Sequence, residues 1–158
     1  GVRIATGMIQ GLALGTQCPV IGISTLAAMA QQAIEQYHAK HIAVAIDARM
    51  GEVYFAQYSN QQGLAEVIGE EQVLAPEEVL ERLSNHTDYF AGTGWQAYEV
   101  LSKASQTQVN FDILYPRALY MLPLARHGIM ANEAVSVEEI KPVYLRDKVT
   151  WKKLPGRE

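Results

Sequence analysis

Cysteine is almost absent from this sequence: Cys18 is the single one among 158 residues. One cysteine cannot form an internal disulfide, which excludes the disulfide-stapled class of secreted domains and favours a reducing compartment. The sequence also lacks a signal-peptide pattern, and charged or amide residues interrupt every apolar run well short of the roughly 20 residues that a membrane span requires. We therefore expect a soluble, cytoplasmic protein that does not enter a membrane.

Most motifs of catalysis and metal binding are missing as well. The sequence contains no Walker P-loop, no G-x-S-x-G nucleophile elbow and no HExxH zinc motif. It has only four histidines, and the closest two, His38 and His41, have no third ligand near them in sequence. Cys18 has no C-x-x-C partner, which favours a small buried side chain over a nucleophile. The sequence therefore predicts neither catalytic residues nor a metal site.

The net charge of −4 conceals an uneven distribution of charge along the chain. Residues 1–140 carry 7 basic and 15 acidic side chains, whereas residues 141–158 carry 6 basic and 2 acidic ones. Because 49% of its residues are apolar, the chain is hydrophobic enough to bury a core and is not a disordered tail. We predict a compact acidic body that is followed by a basic tail.

A helix is predicted at residues 2–14 from the spacing of its apolar side chains, with Gly15 as a left-handed cap. Gly7 and Gly11 lie inside this helix, where each glycine costs about 1 kcal/mol relative to alanine. A stripe of small residues at four-residue steps lets another surface approach a helix closely. Two interpretations remain open, namely packing within this protein and docking of a partner.

The rest of the chain alternates between strand and helix patterns. Ser24 is predicted to cap a helix whose apolar face leaves Gln31 and Gln32 largely on the opposite side. The predicted strands are 19–23, 42–47, 52–58, 64–74, 89–91 and 113–115, and the later helices begin at Pro76, cover 95–104, and cover 116–132 with a break or kink at Pro123. Hairpin-length turns make the strands from 42 to 74 antiparallel, and crossovers add the later strands to a mixed sheet. This order predicts an α/β fold of ribonuclease-H-like topology.

Two turns resemble places where proteins handle nucleotides. Asp47 ends a buried strand before a glycine turn, where a carboxylate can hold a hydrated magnesium ion. The alternative is that Asp47 accepts hydrogen bonds within the turn while Arg49 and Glu52 pair across the hairpin. The second turn, Gly92-Thr93-Gly94, has amides that can cradle an anion, although a tight structural turn over Trp95 is the simpler interpretation.

The basic tail combines cations with aromatic side chains. Its candidate contact residues are Arg146, Lys148, Lys152 and Lys153, with Trp151 among them. This combination is typical of nucleic-acid surfaces and also of a segment that binds an acidic face of its own domain or of a partner. Because the domain as a whole is acidic, the second interpretation is slightly favoured.

Six motifs, taken together, closely resemble the TsaB family, also called YeaZ. They are GVRI at 1–4, QGLALG at 10–15, IDARMGEVY at 46–54, GTGW at 92–95, PVYLR at 142–146 and WKKLPG at 151–156. The resemblance implies an actin-like fold of two ribonuclease-H-like lobes and a chain that is truncated at its N-terminus. Residues 1–39 would then be a remnant of the N-terminal lobe, and residues 40–158 a complete C-terminal lobe with the basic tail.

The resemblance also implies a function in placing the threonylcarbamoyl group on the anticodon-loop adenosine of transfer RNA. It assigns catalysis, with ATP and metal, to the partner subunits TsaD and TsaE, and it makes this chain a non-catalytic subunit with no cofactor of its own. The helix at 2–14 would dock on TsaD, or on a second copy of this chain, and transfer RNA would be bound through the assembled complex. The implied interface residues are Ile4, Gly7, Met8 and Gly11. The alternative function is an ATP-dependent phosphotransferase or ATPase of the actin-like superfold that uses Asp47, Gly92 and Gly94.

Overall fold

The computed structural model describes residues 1–105 and 112–146. Lys148, Trp151, Lys152 and Lys153 therefore lie outside the described residues. The helices are α1 (Val2–Thr16), α2 (Thr25–Tyr37), α3 (Pro76–Arg82), α4 (Gly94–Ala97), α5 (Glu99–Ser105) and α6 (Met121–Met130), which a 3-10 turn (Ala118–Tyr120) precedes. The strands are β1 (His41–Asp47), β2 (Val53–Gln61), β3 (Leu64–Leu74) and β4 (Tyr89–Ala91).

The four strands form one mixed sheet in the order β3-β2-β1-β4. β1, β2 and β3 pair as an antiparallel meander, and β4 lies parallel to β1. The ladder between β2 and β3 contains a bulge between Phe55 and Gln57. The sheet confirms the predicted α/β fold with its antiparallel meander and its added parallel strand.

Helices cover both faces of the sheet because successive side chains of β1 point to opposite sides. Ile42 and Val44 pack with α2, whereas Ala43 and Ala45 pack with the cluster around Trp95. Trp95 is fully buried, and its ring N–H donates to the carbonyl oxygen of Ala91 at 3.0 Å. The sheet thus separates two apolar cores, and α2, which precedes it in the chain, is part of the first.

Two predicted strands are absent from the sheet of the described chain. In residues 19–23, pairing is limited to an isolated antiparallel bridge between Val20 and Val135. In residues 113–115, Ile113 accepts a hydrogen bond from the backbone N–H of Gly92 at 2.8 Å without forming a ladder. Both predictions were wrong because a short apolar run becomes a strand only where a neighbour offers a continuous set of backbone partners.

Helix boundaries also differ from the predictions at three places. α1 continues through Gly15 to Thr16, and the C-cap residue is Gln17, which takes the left-handed conformation with φ 55°. The helix predicted at 95–104 divides into α4 and α5 because Tyr98 is extended. Pro123 lies in the first turn of α6, where a missing N–H is tolerated, so the helix is not interrupted there. Ser24 caps α2 as predicted, accepting from the backbone N–H groups of Leu26 and Ala27.

Two glutamines that the pattern predicts on the polar side of α2 are buried instead. The Gln31 side-chain amide donates to the carbonyl oxygen of Gly63 at 2.8 Å and its oxygen accepts from the N–H of Ala65 at 2.9 Å. Gln31 therefore fastens α2 to the hairpin between β2 and β3. The neighbouring Gln32 is also buried, but its Oε1 has no hydrogen-bond partner among the described residues.

Gln31→Leu is expected to lower the free energy of unfolding by about 1 to 2 kcal/mol, because two backbone groups of the hairpin lose their partner. Gln32→Leu is the matched control, since it makes the same change at the next residue. It removes an acceptor that is unpaired among the described residues and one hydrogen bond to the exposed side chain of Gln36. We expect it to be neutral or slightly stabilising. Urea unfolding followed by circular dichroism measures both, and equal losses in the two variants would contradict the assignment.

Candidate functional site

Asp47 lies at the end of β1, in the turn that leads to β2. Its Oδ1 accepts hydrogen bonds from the backbone N–H of Arg49 at 3.0 Å and from the hydroxyl of Tyr98 at 2.9 Å. Arg49, Met50 and Gly51 all have positive φ, which produces the sharp reversal that this carboxylate stabilises. The structure therefore gives Asp47 the turn-acceptor role that the sequence offered as its alternative.

Glu52 pairs with a residue from the far end of the chain. Arg146 Nη2 lies 2.5 Å from Glu52 Oε2, and the same nitrogen donates to the carbonyl oxygen of Arg49 at 3.4 Å. The predicted pair between the side chains of Arg49 and Glu52 was wrong, because Arg146 takes the place of Arg49. The side chain of Arg146 is only 17% exposed, so this candidate contact residue of the tail faces its own domain here.

Gly92 and Gly94 form the turn between β4 and α4, and both lie against the backbone of β1. A Cβ atom at Gly92 would be 2.1 Å from the carbonyl oxygen of Ala45, and one at Gly94 would be 2.9 Å from the same atom. The N–H of Gly92 already donates to Ile113. Between them, the Thr93 hydroxyl accepts from the N–H of Asp47 at 3.1 Å. These glycines allow a close approach of two strands, which is the structural role that the sequence left open.

The residues around Asp47 thus form a set of mutually bonded groups. We call this set the Asp47 cluster: Asp47, Glu52, Thr93, Tyr98 and Arg146. Burial, followed by the Asp47 carboxylate, raises the pKa of Tyr98, so the phenol stays protonated and donates. Within residues 1–105 and 112–146, no group of three or more His, Cys, Asp or Glu side chains is arranged to hold a metal ion. The chemistry that this geometry supports is the fastening of the chain's C-terminal segment to the turn between β1 and β2.

The sequence patterns do not indicate the hydrogen bonds of Thr93 and Tyr98, nor that of the Tyr144 hydroxyl, which accepts from Arg3 of α1. Thr93 was included only as the middle of a glycine turn, and Tyr98 only as part of a predicted helix. The signal for Tyr98 was weak, because its role depends on an extended residue between two short helices. Tyr144 lies inside the quoted PVYLR motif, but the motif by itself does not name its contact.

α1 presents a second, different surface. Ala13 is its one buried side chain, and Thr6 and Gln10 are half-buried on the same side of the helix. At about 100° per residue, Ile4, Met8 and Gly11 lie on the opposite side. Ile4 is 71% exposed and Met8 is 65% exposed. We call the predicted interface set of Ile4, Gly7, Met8 and Gly11 the outward face of α1.

The two glycines of the outward face are not required by packing within the described chain. A Cβ atom built at Gly7 or Gly11 meets no described atom within 4 Å outside the helix. Of the two interpretations of the glycine stripe, packing within the protein is not supported at Gly7 and Gly11, because neither glycine makes a close contact inside the described part of this chain. The docking role of the outward face stays a prediction.

None of the helices in the described ranges combines the length and the apolar character needed to cross a membrane.

Comparison with known proteins identifies the family. A family model described as "TsaD: tRNA N6-adenosine threonylcarbamoyltransferase" matches residues 1–153. Two proteins named "tRNA threonylcarbamoyladenosine biosynthesis protein TsaB", from Haemophilus influenzae and Escherichia coli, are 45% and 46% identical over all of this chain and 70% of their own length. The structure titled "YeaZ from Pseudomonas aeruginosa" has a TM-score of 0.81 at 43% identity, covering 92% of this chain and 68% of that one. This chain therefore belongs to the TsaB (YeaZ) family, with its actin-like α/β fold.

Proposed function

We propose that this chain is a non-catalytic subunit in the biosynthesis of threonylcarbamoyladenosine in transfer RNA. It pairs with the catalytic paralogue TsaD through the outward face of α1 and assembles with the ATPase TsaE. ATP and metal are bound by those partner subunits, and transfer RNA is bound by the complex as a whole. Family membership supports a role in this biosynthesis, since relatives that are 45% and 46% identical are named as threonylcarbamoyladenosine biosynthesis proteins.

The observation that carries the docking proposal is the combination of exposure and small size on one helix. Leu12, at 62% exposure, extends the outward face by one turn beyond Met8. Exposed large apolar side chains in a continuous row are unfavourable in water, and burying them against a partner recovers roughly 25 cal/mol per Å². Gly7 and Gly11 leave room for the backbone of a second helix beside that row. The surface therefore fits an apolar helix as its partner.

The direct test is co-purification of this chain with TsaD. We expect a stable pair when the two are expressed together, and TsaD that elutes alone would overturn the proposal. Sedimentation of this chain, first alone and then with TsaD added, tests the other occupant of the same face. A homodimer that persists after TsaD is added would assign the outward face to a second copy.

The alternative function, an ATP-dependent phosphotransferase, predicts that this chain binds nucleotide by itself. The groups on which that function would depend have other partners: Asp47 is engaged by Arg49 and Tyr98, and Gly92 and Gly94 lie against Ala45. We expect calorimetry with ATP and magnesium to show no binding heat for this chain alone. Binding at micromolar ATP would revive the alternative, and loss of that binding in Asp47→Asn would locate it.

A further inference from the structure

The last described residues of the chain, Tyr144, Leu145 and Arg146, contact three separate parts of the protein. Arg146 joins Glu52 at the turn between β1 and β2. Leu145 packs against the apolar core between α2 and the sheet. Tyr144 reaches α1, where its hydroxyl accepts a hydrogen bond from Arg3 Nε at 3.2 Å. We call these three residues the strap.

The Arg146 end of the strap is firmly held. Its guanidinium forms the 2.5 Å ion pair with Glu52, donates to the Arg49 carbonyl oxygen and also contacts the sulfur of Met50 at 3.6 Å. Because this side chain is mostly buried, the pair is shielded from water more than a surface ion pair is. Leu145 adds apolar burial at the next residue. Leu145 and Arg146, the two residues that follow Tyr144, are therefore fixed to the body of the protein.

The Tyr144 end of the strap holds a helix that has few other attachments. Arg3 donates its hydrogen bond to the Tyr144 hydroxyl, and its guanidinium also lies 6.0 Å from the centre of the Tyr144 ring. The hydrogen bond to this phenol raises the pKa of Arg3. Ala13, near the opposite end of α1, is the one side chain that the helix buries in the described structure. Arg3 and Ala13 are on the inward side of α1, so holding them fixes the direction in which the outward face points.

We propose that the strap positions α1, so that the turn between β1 and β2 and the outward face are held in one fixed relation. The strap residues touch no reacting group and act through α1. This inference rests on the proposed function only in its consequence for partner affinity: a helix with a fixed direction loses less conformational freedom when the partner binds. The strap itself is a property of the chain alone.

Hydrogen exchange of the whole chain, measured without any partner, tests the strap. In Tyr144→Leu, which keeps apolar bulk but removes the hydroxyl and the ring face, we expect the amides of α1 to exchange roughly fivefold faster. Tyr144→Phe keeps the ring and is expected to lie between Tyr144→Leu and the unaltered chain. Arg146→Gln, which breaks the far anchor, is expected to raise exchange in α1 as well, although it does not contact that helix in the described structure.

Val143→Ala is the control, since Val143 is the adjacent residue and its side chain is 83% exposed. It is expected to leave exchange in α1 unchanged. The amides of α2 supply the second reference, because α2 belongs to the core. The inference is overturned if α1 exchanges at its original rate in Tyr144→Leu, or if α1 and α2 accelerate by the same factor, as a general loss of stability predicts.

The two proposals fail in different ways. Exchange is measured on the chain alone, so its outcome does not depend on TsaD. If the unaltered chain does not bind TsaD, the proposed function fails and the strap stands. If it binds, Tyr144→Leu is expected to raise the dissociation constant for TsaD about fivefold, although the outward face itself is unaltered. Equal affinity of the two chains would show that the strap does not contribute to docking.

Discussion

Gly11→Leu is expected to abolish co-purification of this chain with TsaD while leaving the chain folded. A Cβ at Gly11 meets no described atom within 4 Å outside its own helix, so the isolated chain accommodates the leucine. Against a closely packed partner helix, the same side chain overpacks the interface by about 1 to 3 kcal/mol, which is roughly 5- to 150-fold in the dissociation constant. Surface plasmon resonance with immobilised TsaD measures this loss, and circular dichroism checks the fold.

Gly11→Ala is the matched control for this experiment. Both substitutions remove a glycine from a helix interior, which stabilises the helix by up to about 1 kcal/mol, but alanine adds only one carbon. We expect the alanine variant to keep most of the affinity. If the leucine and alanine variants bind TsaD as tightly as the unaltered chain, the outward face is not the interface, although the chain's family membership is unaffected.

Gly92→Ala is expected to lower the free energy of unfolding by about 3 to 5 kcal/mol. The new Cβ would lie 2.1 Å from the carbonyl oxygen of Ala45, in a φ of +104° that residues other than glycine rarely adopt. Backbone strain and overpacking in a core each cost about 1 to 3 kcal/mol, and their sum is a large part of a domain's stability of about 5 to 15 kcal/mol. Urea unfolding measures the change.

Gly63→Ala separates the two contributions to that loss. Gly63 has a similar φ of +92°, but a Cβ there has no described neighbour within 4 Å. It therefore carries the conformational cost of about 1 kcal/mol without the collision. Equal losses of unfolding free energy at Gly92 and Gly63 would show that positive φ alone explains the effect. The close approach of Gly92 to Ala45 would then make no contribution.

The elements that could be predicted from the sequence are those whose stabilisation is local or repeats along the chain. β3, which directly follows its partner β2 in the chain, has the predicted bounds, and Ser24 caps α2 through groups two and three residues away. The short runs at 19–23 and 113–115 are apolar but depend on neighbours that lie far away in sequence. The helical pattern predicted that Gln31 lies on the polar side of α2. It is buried instead, because its side chain bonds to backbone groups of Gly63 and Ala65, which only the fold brings close to it.

The sequence by itself determined the α/β class, the order of the sheet's antiparallel strands and, through its six motifs, the family. It also placed Ile4, Gly7, Met8 and Gly11 on one helix, because helical spacing and glycine are local features, and the docking role of that set stays a prediction. Only the tertiary structure decided which charges pair. Glu52 has Arg49 three residues away, but it pairs with Arg146, 94 residues further along the chain. Hydrogen bonds and ion pairs depend on distances of a few ångströms in space, and the sequence does not contain those distances until the chain has folded.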